Sequence, residues 1–328
     1  MNVWTVPPAA LAALAQRLEP GVRWRHVLAP YTTYRIGGPA DLFLVATRAE
    51  EVVTALQAAH ALGVPCRLIG GASNLLIADA GVAGLVIKLS MSGVRFIEDP
   101  GGPERVIVVA AAGCQLASLA RQCARRGLAG LVWASNVPGS VGAAVVNNAG
   151  AFGGCMADVL VRALVVDPQG QARYYTPAEL AMEYRSTRLK AGALQGAVLE
   201  AELALTRADP RELEQQLAQV RERRRQSQPS GFSAGSMFTN PPGDAAGRLI
   251  EAAGLKGYRC GDAQISPQHA NFFLNLGAAT AREVYALMRV AQDAVYRQTG
   301  IWLRPEVQLV GRWTPAELAA LAAPGGAP

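Results

Sequence analysis

The chain has 328 residues, enough for two or three domains, each with its own core. Charged residues are 17% and hydrophobic ones 51%, a balance that excludes a disordered chain and describes a soluble globular one. The net charge of +6 suits an anionic small molecule as well as a polyanion, and only three of the 31 basic residues are lysines, Lys88, Lys190 and Lys256. The five cysteines (Cys66, Cys114, Cys123, Cys155, Cys260) form no C-x-x-C pair and read as reduced thiols of a cytoplasmic protein. The histidines His26, His60 and His269 lie far apart, so no metal site is expected. The N-terminus shows no secretory leader. The apolar stretch from Leu128 to Ala151 is interrupted by Asn136, Pro138, Asn147 and Asn148, which argues for buried loops and strands over a membrane span.

In chain order, Leu42–Ala46 reads as a buried strand and Thr47-Arg48-Ala49-Glu50 as a capping box opening a helix with Val52, Val53, Leu56 and Ala59 on one stripe. Val64–Ile69, Gly84–Leu89 and Val106–Ala111 read as strands. Leu116–Arg125 reads as a helix ended by Gly127. Val161–Val166 and Leu199–Leu205 are further strands around a capped start at Thr176-Pro177-Ala178-Glu179. This alternation over about the first 205 residues predicts a mixed α/β or α+β domain. Arg211–Gln226 is a polar helix bridging to a second domain. That domain holds a long helix capped by Thr280 and Glu283 with a Val284, Leu287, Met288, Ala291, Val295 stripe, then a capped helix at Thr314–Glu317 and a disordered A-P-G-G-A-P tail.

Several segments carry chemistry. Gly70-Gly71-Ala72-Ser73-Asn74 follows a strand directly and reads either as a plain strand-end turn or as a phosphate cradle. It is not G-x-G-x-x-G, so a Rossmann fingerprint is absent. The small residues from Val137 to Gly154 permit close approach to a flat or phosphorylated ligand, or tight strand packing. The R-E-R-R-R run from Arg221 to Arg225 lacks interleaved aromatics and reads as a solvated helix face with one arginine available to an anionic ligand. Arg185, Ser236 and Glu306 each sit in a tight polar context: a guanidinium, a hydroxyl and a half-buried carboxylate. Ser236 is not in G-x-S-x-G, which disfavours hydrolase chemistry. His269 reads as a hydrogen-bonded structural histidine.

Eight segments occur in a telling order: Y-T-T-Y-R-I-G-G-P-A from Tyr31, L-I-G-G-A-S-N-L-L-I-A-D-A-G from Leu68, V-P-G-S-V-G-A-A-V-V-N-N-A-G-A-F-G from Val137, Y-R-S-T-R-L-K from Tyr184, A-G-S-M-F-T-N-P from Ala234, A-G-R-L-I-E-A-A-G-L-K-G-Y-R from Ala246, A-Q-I-S-P-Q-H-A-N-F from Ala263 and E-V-Q-L-V-G from Glu306. Together they span about Tyr31 to Gly311 and resemble the UDP-N-acetylenolpyruvoylglucosamine reductases, bacterial flavoenzymes that make UDP-N-acetylmuramate, in the shorter form lacking an inserted substrate-capping loop. The resemblance implies an α+β fold. Residues 1–208 would be an FAD-binding domain of the vanillyl-alcohol oxidase type in two subdomains (about 20–90 and 91–208), and residues 209–328 a substrate domain. It implies non-covalent FAD, NADPH as reductant and a nucleotide-sugar substrate, with no nucleic acid, membrane or obligate protein partner. By the same resemblance Ser236, Arg185 and Glu306 are catalytic. Arg35, Ile36, Gly70, Gly71, Ala72, Ser73, Asn74, Pro138, Gly139, Ser140 and Gly142 approach the cofactor, and Tyr184, Arg225 and Asn240 the substrate. Three positions depart from the family pattern: Thr239 where a basic residue is usual, Ala72 where glycine is frequent, and Val132 where glutamate is common. An oxygen-using oxidase of the same fold class, a non-catalytic nucleotide-sugar or flavin-binding module and, third, a nucleic-acid binder built on the Arg221 to Arg225 run are the rival readings. The substrate-domain motifs disfavour the first, and the intact Arg185, Ser236 and Glu306 the second.

Overall fold

The structure, a computed structural model, describes residues 5 to 323, so the expected disordered tail lies, from Pro324 onward, outside the described residues. Helix α1 (Pro8–Leu18) precedes β1 (Val22–Val27), β2 (Pro39–Ala46), α2 (Ala49–Ala61), β3 (Cys66–Ile69), β4 (Leu75–Ile77) and β5 (Val82–Leu89). Four of these strands form a sheet in the order β1-β2-β5-β3, with β1 antiparallel to β2 and the others parallel. Parallel strands need crossovers, and α2 supplies one, burying Val52, Ala55, Leu56 and Ala59 in the core. Its capping box sits one residue later than the sequence spacing predicts. Glu51, not Glu50, accepts from the Thr47 N–H at 2.8 Å and the Arg48 N–H at 3.3 Å.

The next unit is antiparallel: β6 (Val94–Glu98), β7 (Arg105–Ala111), α3 (Leu116–Arg125), β8 (Leu128–Ala129), α4 (Val141–Asn147), the short pair β9 (Gly150–Ala151) and β10 (Gly154–Cys155), then β11 (Leu160–Val166), β12 (Ala172–Tyr175) and β13 (Ala197–Arg207). The sheet order is β12-β11-β13-β7-β6, with β8 also on β13. The expected capped start at Thr176 forms its hydrogen bonds, Glu179 accepting from the Thr176 N–H at 2.9 Å, but only a turn follows.

The third unit comprises α5 (Pro210–Ser227), α6 (Ala246–Ala252), the antiparallel strands β14 (Arg259–Cys260), β15 (Ala263–Ile265) and β16 (Phe273–Asn275), then α7 (Ala281–Thr299), β17 (Gln308–Val310) and α8 (Pro315–Ala322). The five stripe residues of α7 are all fully buried. This unit is stitched back onto the first. Strand β17 lies parallel to β4, pairing Gln308 with Leu75 and Val310 with Ile77. Its core takes in Tyr34, Ile36, Leu76 and Ala78 from the N-terminal part of the chain. Asp79 accepts from the first N–H groups of α7, Ala281 at 2.8 Å and Arg282 at 3.1 Å.

Candidate active site

Where the three units meet lies a cavity of about 730 Å³, within the size range of cofactor sites. Its floor follows from strand geometry. Strand β3 runs from Cys66 to Ile69 and ends in the Gly70–Asn74 turn, and the cavity is lined along this length, from Val64 to Asn74 with Gly71 excepted. At about 3.3 Å per extended residue this is a long trough rather than a pit. At its far end, α2 contributes Leu56 and His60, and the β11–β12 turn contributes Pro168. There Gln169 bridges the two lobes: its amide meets His60 Nε2 at 3.0 Å, and its carbonyl accepts from Gln57 Nε2 at 2.9 Å.

Two glycine turns close on each other over the middle of the trough. A Cβ on Gly71 would lie 2.7 Å from Gly139 Cα, and one on Gly70 would lie 2.1 Å from Ser140 Oγ. Ser73 Oγ donates to the Pro138 carbonyl at 3.1 Å. Ala72 holds a left-handed backbone (φ 45°), as does Gly139 (φ 118°). Ser140 caps α4, and a Cβ on Gly142 would meet Ala112 at 2.7 Å. A trough whose waist is walled by two glycine turns and carries only small side chains such as Ser73 and Ser140 fits an extended dinucleotide such as FAD.

At the near end, three distant segments bring their polar groups together. Glu183 and Ser186 exchange backbone hydrogen bonds at 3.0 and 3.1 Å, leaving Tyr184 and Arg185 at the tip of a two-residue turn. Arg185 takes the left-handed position there (φ 56°), which glycine or asparagine usually fills. Its Nη2 donates to the Gly150 carbonyl at 2.8 Å. Its Nε sits 2.9 Å from Glu306 Oε1, but the N–H is not aimed along that line and has no acceptor, so the contact is ionic. Glu306 is held by its backbone: its N–H donates to the Met237 carbonyl at 2.8 Å, and its carbonyl accepts from Asn74 Nδ2 at 3.1 Å. Burial pushes its carboxyl above the ordinary carboxylate range, with Arg185 and Lys190 pulling the other way. Ser236 follows Gly235 (φ 77°) on a short extended segment. The buried Asn271 side chain clamps that segment. Its Oδ1 accepts from the Phe238 N–H at 2.9 Å, its Nδ2 donates to the Phe238 carbonyl at 2.8 Å, and its backbone carbonyl accepts from Met237 at 2.8 Å.

Ser236, Arg185, Glu306, Gly70, Ala72, Ser73, Asn74, Pro138, Gly139, Ser140 and Gly142 thus all line one cavity. The other sequence candidates lie elsewhere. Gly71 is outside the lining and packs against Gly139. Ile36 is buried in the C-terminal core, and Arg35 donates to the Pro30 carbonyl at 3.1 Å with its guanidinium 5.7 Å from the Phe232 ring. Tyr184 is 67% exposed, beside Arg185. Asn240 is exposed and accepts from the Ala246 N–H at the start of α6, at 3.1 Å. Arg225 projects outward, paired with Glu222 at 2.9 Å, and its neighbour Arg224 lines the cavity instead. Lys190, Asn147 and Gln308 also belong to the lining. All three fall inside the ordered family segments, Asn147 in the one from Val137, Lys190 in the one from Tyr184 and Gln308 in the one from Glu306, but residue type alone singles out none of them. His269 is structural as expected, its Nδ1 accepting from the Asn271 N–H at 3.2 Å.

Comparison with known proteins agrees with this geometry. Residues 40–174 match an FAD-binding domain, and residues 227–310 match the C-terminal domain of UDP-N-acetylenolpyruvoylglucosamine reductase. The chain is 44% identical over 314 residues to UDP-N-acetylenolpyruvoylglucosamine reductase 2 of Symbiobacterium thermophilum, covering 93% of this chain and 100% of that one. It is 40% identical over 298 residues to the reductase of Rubrobacter xylanophilus, covering 90% and 97%. The crystal structure of the Thermus caldophilus reductase superposes with a TM-score of 0.73 at 37% identity, covering 87% of this chain and 97% of that one. An FAD-binding domain followed by a reductase C-terminal domain, along nearly the full length of its relatives, makes this chain a member of the UDP-N-acetylenolpyruvoylglucosamine reductase family.

Proposed function

We propose that this enzyme reduces UDP-N-acetylglucosamine enolpyruvate to UDP-N-acetylmuramate, a peptidoglycan precursor, using NADPH and non-covalent FAD. The observation that carries the reading is the convergence of Arg185, Ser236 and Glu306, from three distant segments, on the cavity that the two glycine turns line. When bound, the flavin relays a hydride from NADPH to the terminal enolpyruvyl carbon. The Gly70–Asn74 and Pro138–Gly142 turns would hold its pyrophosphate, the second without the Val141 and Gly142 N–H groups, which donate to the Cys114 and Ala112 carbonyls. Arg185 then holds the substrate carboxylate, where negative charge grows as the double bond is reduced, and its planar fork suits two oxygens. Glu306, with its carboxyl raised by burial, donates a hydrogen bond to the same carboxylate in its protonated form. Ser236 gives a proton to the adjacent carbon. A serine is a weak acid, but the carbon it serves is strongly basic, so positioning matters more than acidity. Arg224 takes over the role first assigned to Arg225, facing the substrate's diphosphate, while Tyr184 stands at the mouth and Asn240 supports that side through α6. Among the described residues no helix is long and apolar enough to cross a membrane, and we assign the enzyme to the cytoplasm, where nucleotide sugars are made.

An anaerobic visible spectrum tests this. NADPH should bleach the flavin band, and the enolpyruvyl sugar should restore it. In Ser236→Ala the band should still bleach but recover at least about 100-fold more slowly. A band that returns only with oxygen would overturn the function, and normal recovery in Ser236→Ala would overturn the role of the serine.

A further inference from the structure

Arg185 occupies a conformation that a non-glycine residue rarely adopts, and something must hold it there. The Lys190 ammonium, on the half-buried lining of the same cavity, donates to the Arg185 carbonyl at 2.8 Å. The Lys190 N–H is itself fixed by Thr187 Oγ1 at 3.1 Å, and Thr187 is buried, its hydroxyl donating to the Val146 carbonyl of α4. The lysine is therefore anchored at its backbone and reaches back five residues to the turn tip.

We propose that Lys190 is a positioning residue for the reaction: it locks the left-handed Arg185 turn that presents the guanidinium to Glu306 and the substrate carboxylate, and it adds a second positive charge at that end of the cavity. The inference rests on the proposed reaction. The charges acting on Lys190 are Arg185 and Glu306, and those acting on Glu306 are Arg185 and Lys190. Burial and Arg185 pull the lysine below its ordinary value while Glu306 pushes it back up. The lysine in turn makes Glu306 easier to ionise.

The test is stopped-flow reoxidation of NADPH-reduced enzyme by the enolpyruvyl sugar, measured across pH for wild type, Lys190→Met and Lys190→Arg. The limb of the profile that depends on Glu306 is identified as the one missing in Glu306→Gln. In Lys190→Met the reoxidation rate should fall about 10-fold or more. The Glu306 limb should move to higher pH, because the carboxyl loses a cation that favoured its ionised form. Lys190→Arg, which keeps the charge, should leave the limb at its wild-type position. A Met variant reoxidised at the wild-type rate, or slowed with the limb unmoved, would overturn the proposal, the latter marking a merely structural lysine. Should Lys190→Met fail to fold, Lys190→Gln carries the same reading: a shifted limb supports the proposal and an unshifted one overturns it. Failure of the wild-type enzyme to be reoxidised by the sugar would instead remove the proposed function.

Discussion

At Gly71 the requirement for glycine is steric, since a methyl there would meet the Gly139 backbone well inside contact distance. Because the nearest atoms are all Gly139 backbone, no flexible side-chain end can give way. Gly71→Ala should part the two turns and weaken FAD binding by about 10-fold or more, a loss of at least about 1.4 kcal/mol, while leaving the fold intact. Titration of apo-protein with FAD checks this, and an unchanged dissociation constant would mean that the turns need not touch. Its neighbour Ala72 carries the opposite lesson. The sequence shows a departure from the family's glycine, and the backbone still adopts the left-handed conformation, at a strain of about 1–2 kcal/mol. That Arg185, Ser236 and Glu306 would share one cavity was legible through the family resemblance and not through residue type, since an arginine, a serine and a glutamate in isolation are ordinary. The choice between Arg224 and Arg225 was not legible at all. Successive helical residues differ by about 100° in direction, so a run of arginines presents one to any partner, and only the packed rotation of α5 says which.

Helix α7 shows how far local signals reach and where they stop. Its Thr280–Glu283 capping box was readable from spacing, and the box is present, Thr280 Oγ1 accepting from the Glu283 N–H at 3.2 Å. Asp79, which satisfies two further N–H groups of the same terminus, stands some two hundred residues away and leaves no local trace. Asp79→Ala should cost about 1 kcal/mol and lower the midpoint of thermal unfolding by a few degrees. Calorimetry decides it, and an unchanged midpoint would mean that Thr280 alone suffices. Helix α4 was missed for a different reason. Val141–Asn147 is built from small and β-branched residues with a glycine, so propensity and periodicity both point away from a helix. It forms because Ser140 caps it and because Val141, Ala144 and Val145 pack into the core. At Thr176 the converse holds: the capping hydrogen bonds form, but the chain that follows turns toward Arg185 instead of winding on.

Across the whole molecule, the division into an FAD-binding part and a substrate part is crossed by β17 on β4, by a core shared with Tyr34 and Ile36, and by the Asp41–Arg312 ion pair at 2.8 Å. Residues 1–208 expressed alone should therefore fail to hold FAD, because Asn74 loses both its Glu306 and Gln308 backbone partners and β4 loses the one strand it pairs with among the described residues. Flavin stoichiometry after gel filtration measures this, and one FAD per chain would show the lobe to be autonomous. The β17–β4 pairing also sets a clock on biosynthesis. As the chain leaves the ribosome, Leu75–Ile77 emerges early and waits, with unpaired backbone groups, while more than two hundred further residues are translated. The strand that completes it also carries Glu306 beside it, so the edge is covered and the carboxylate seated in the same late event. A nascent chain stalled before Gln308 would thus carry β4 without its strand partner and its site unassembled.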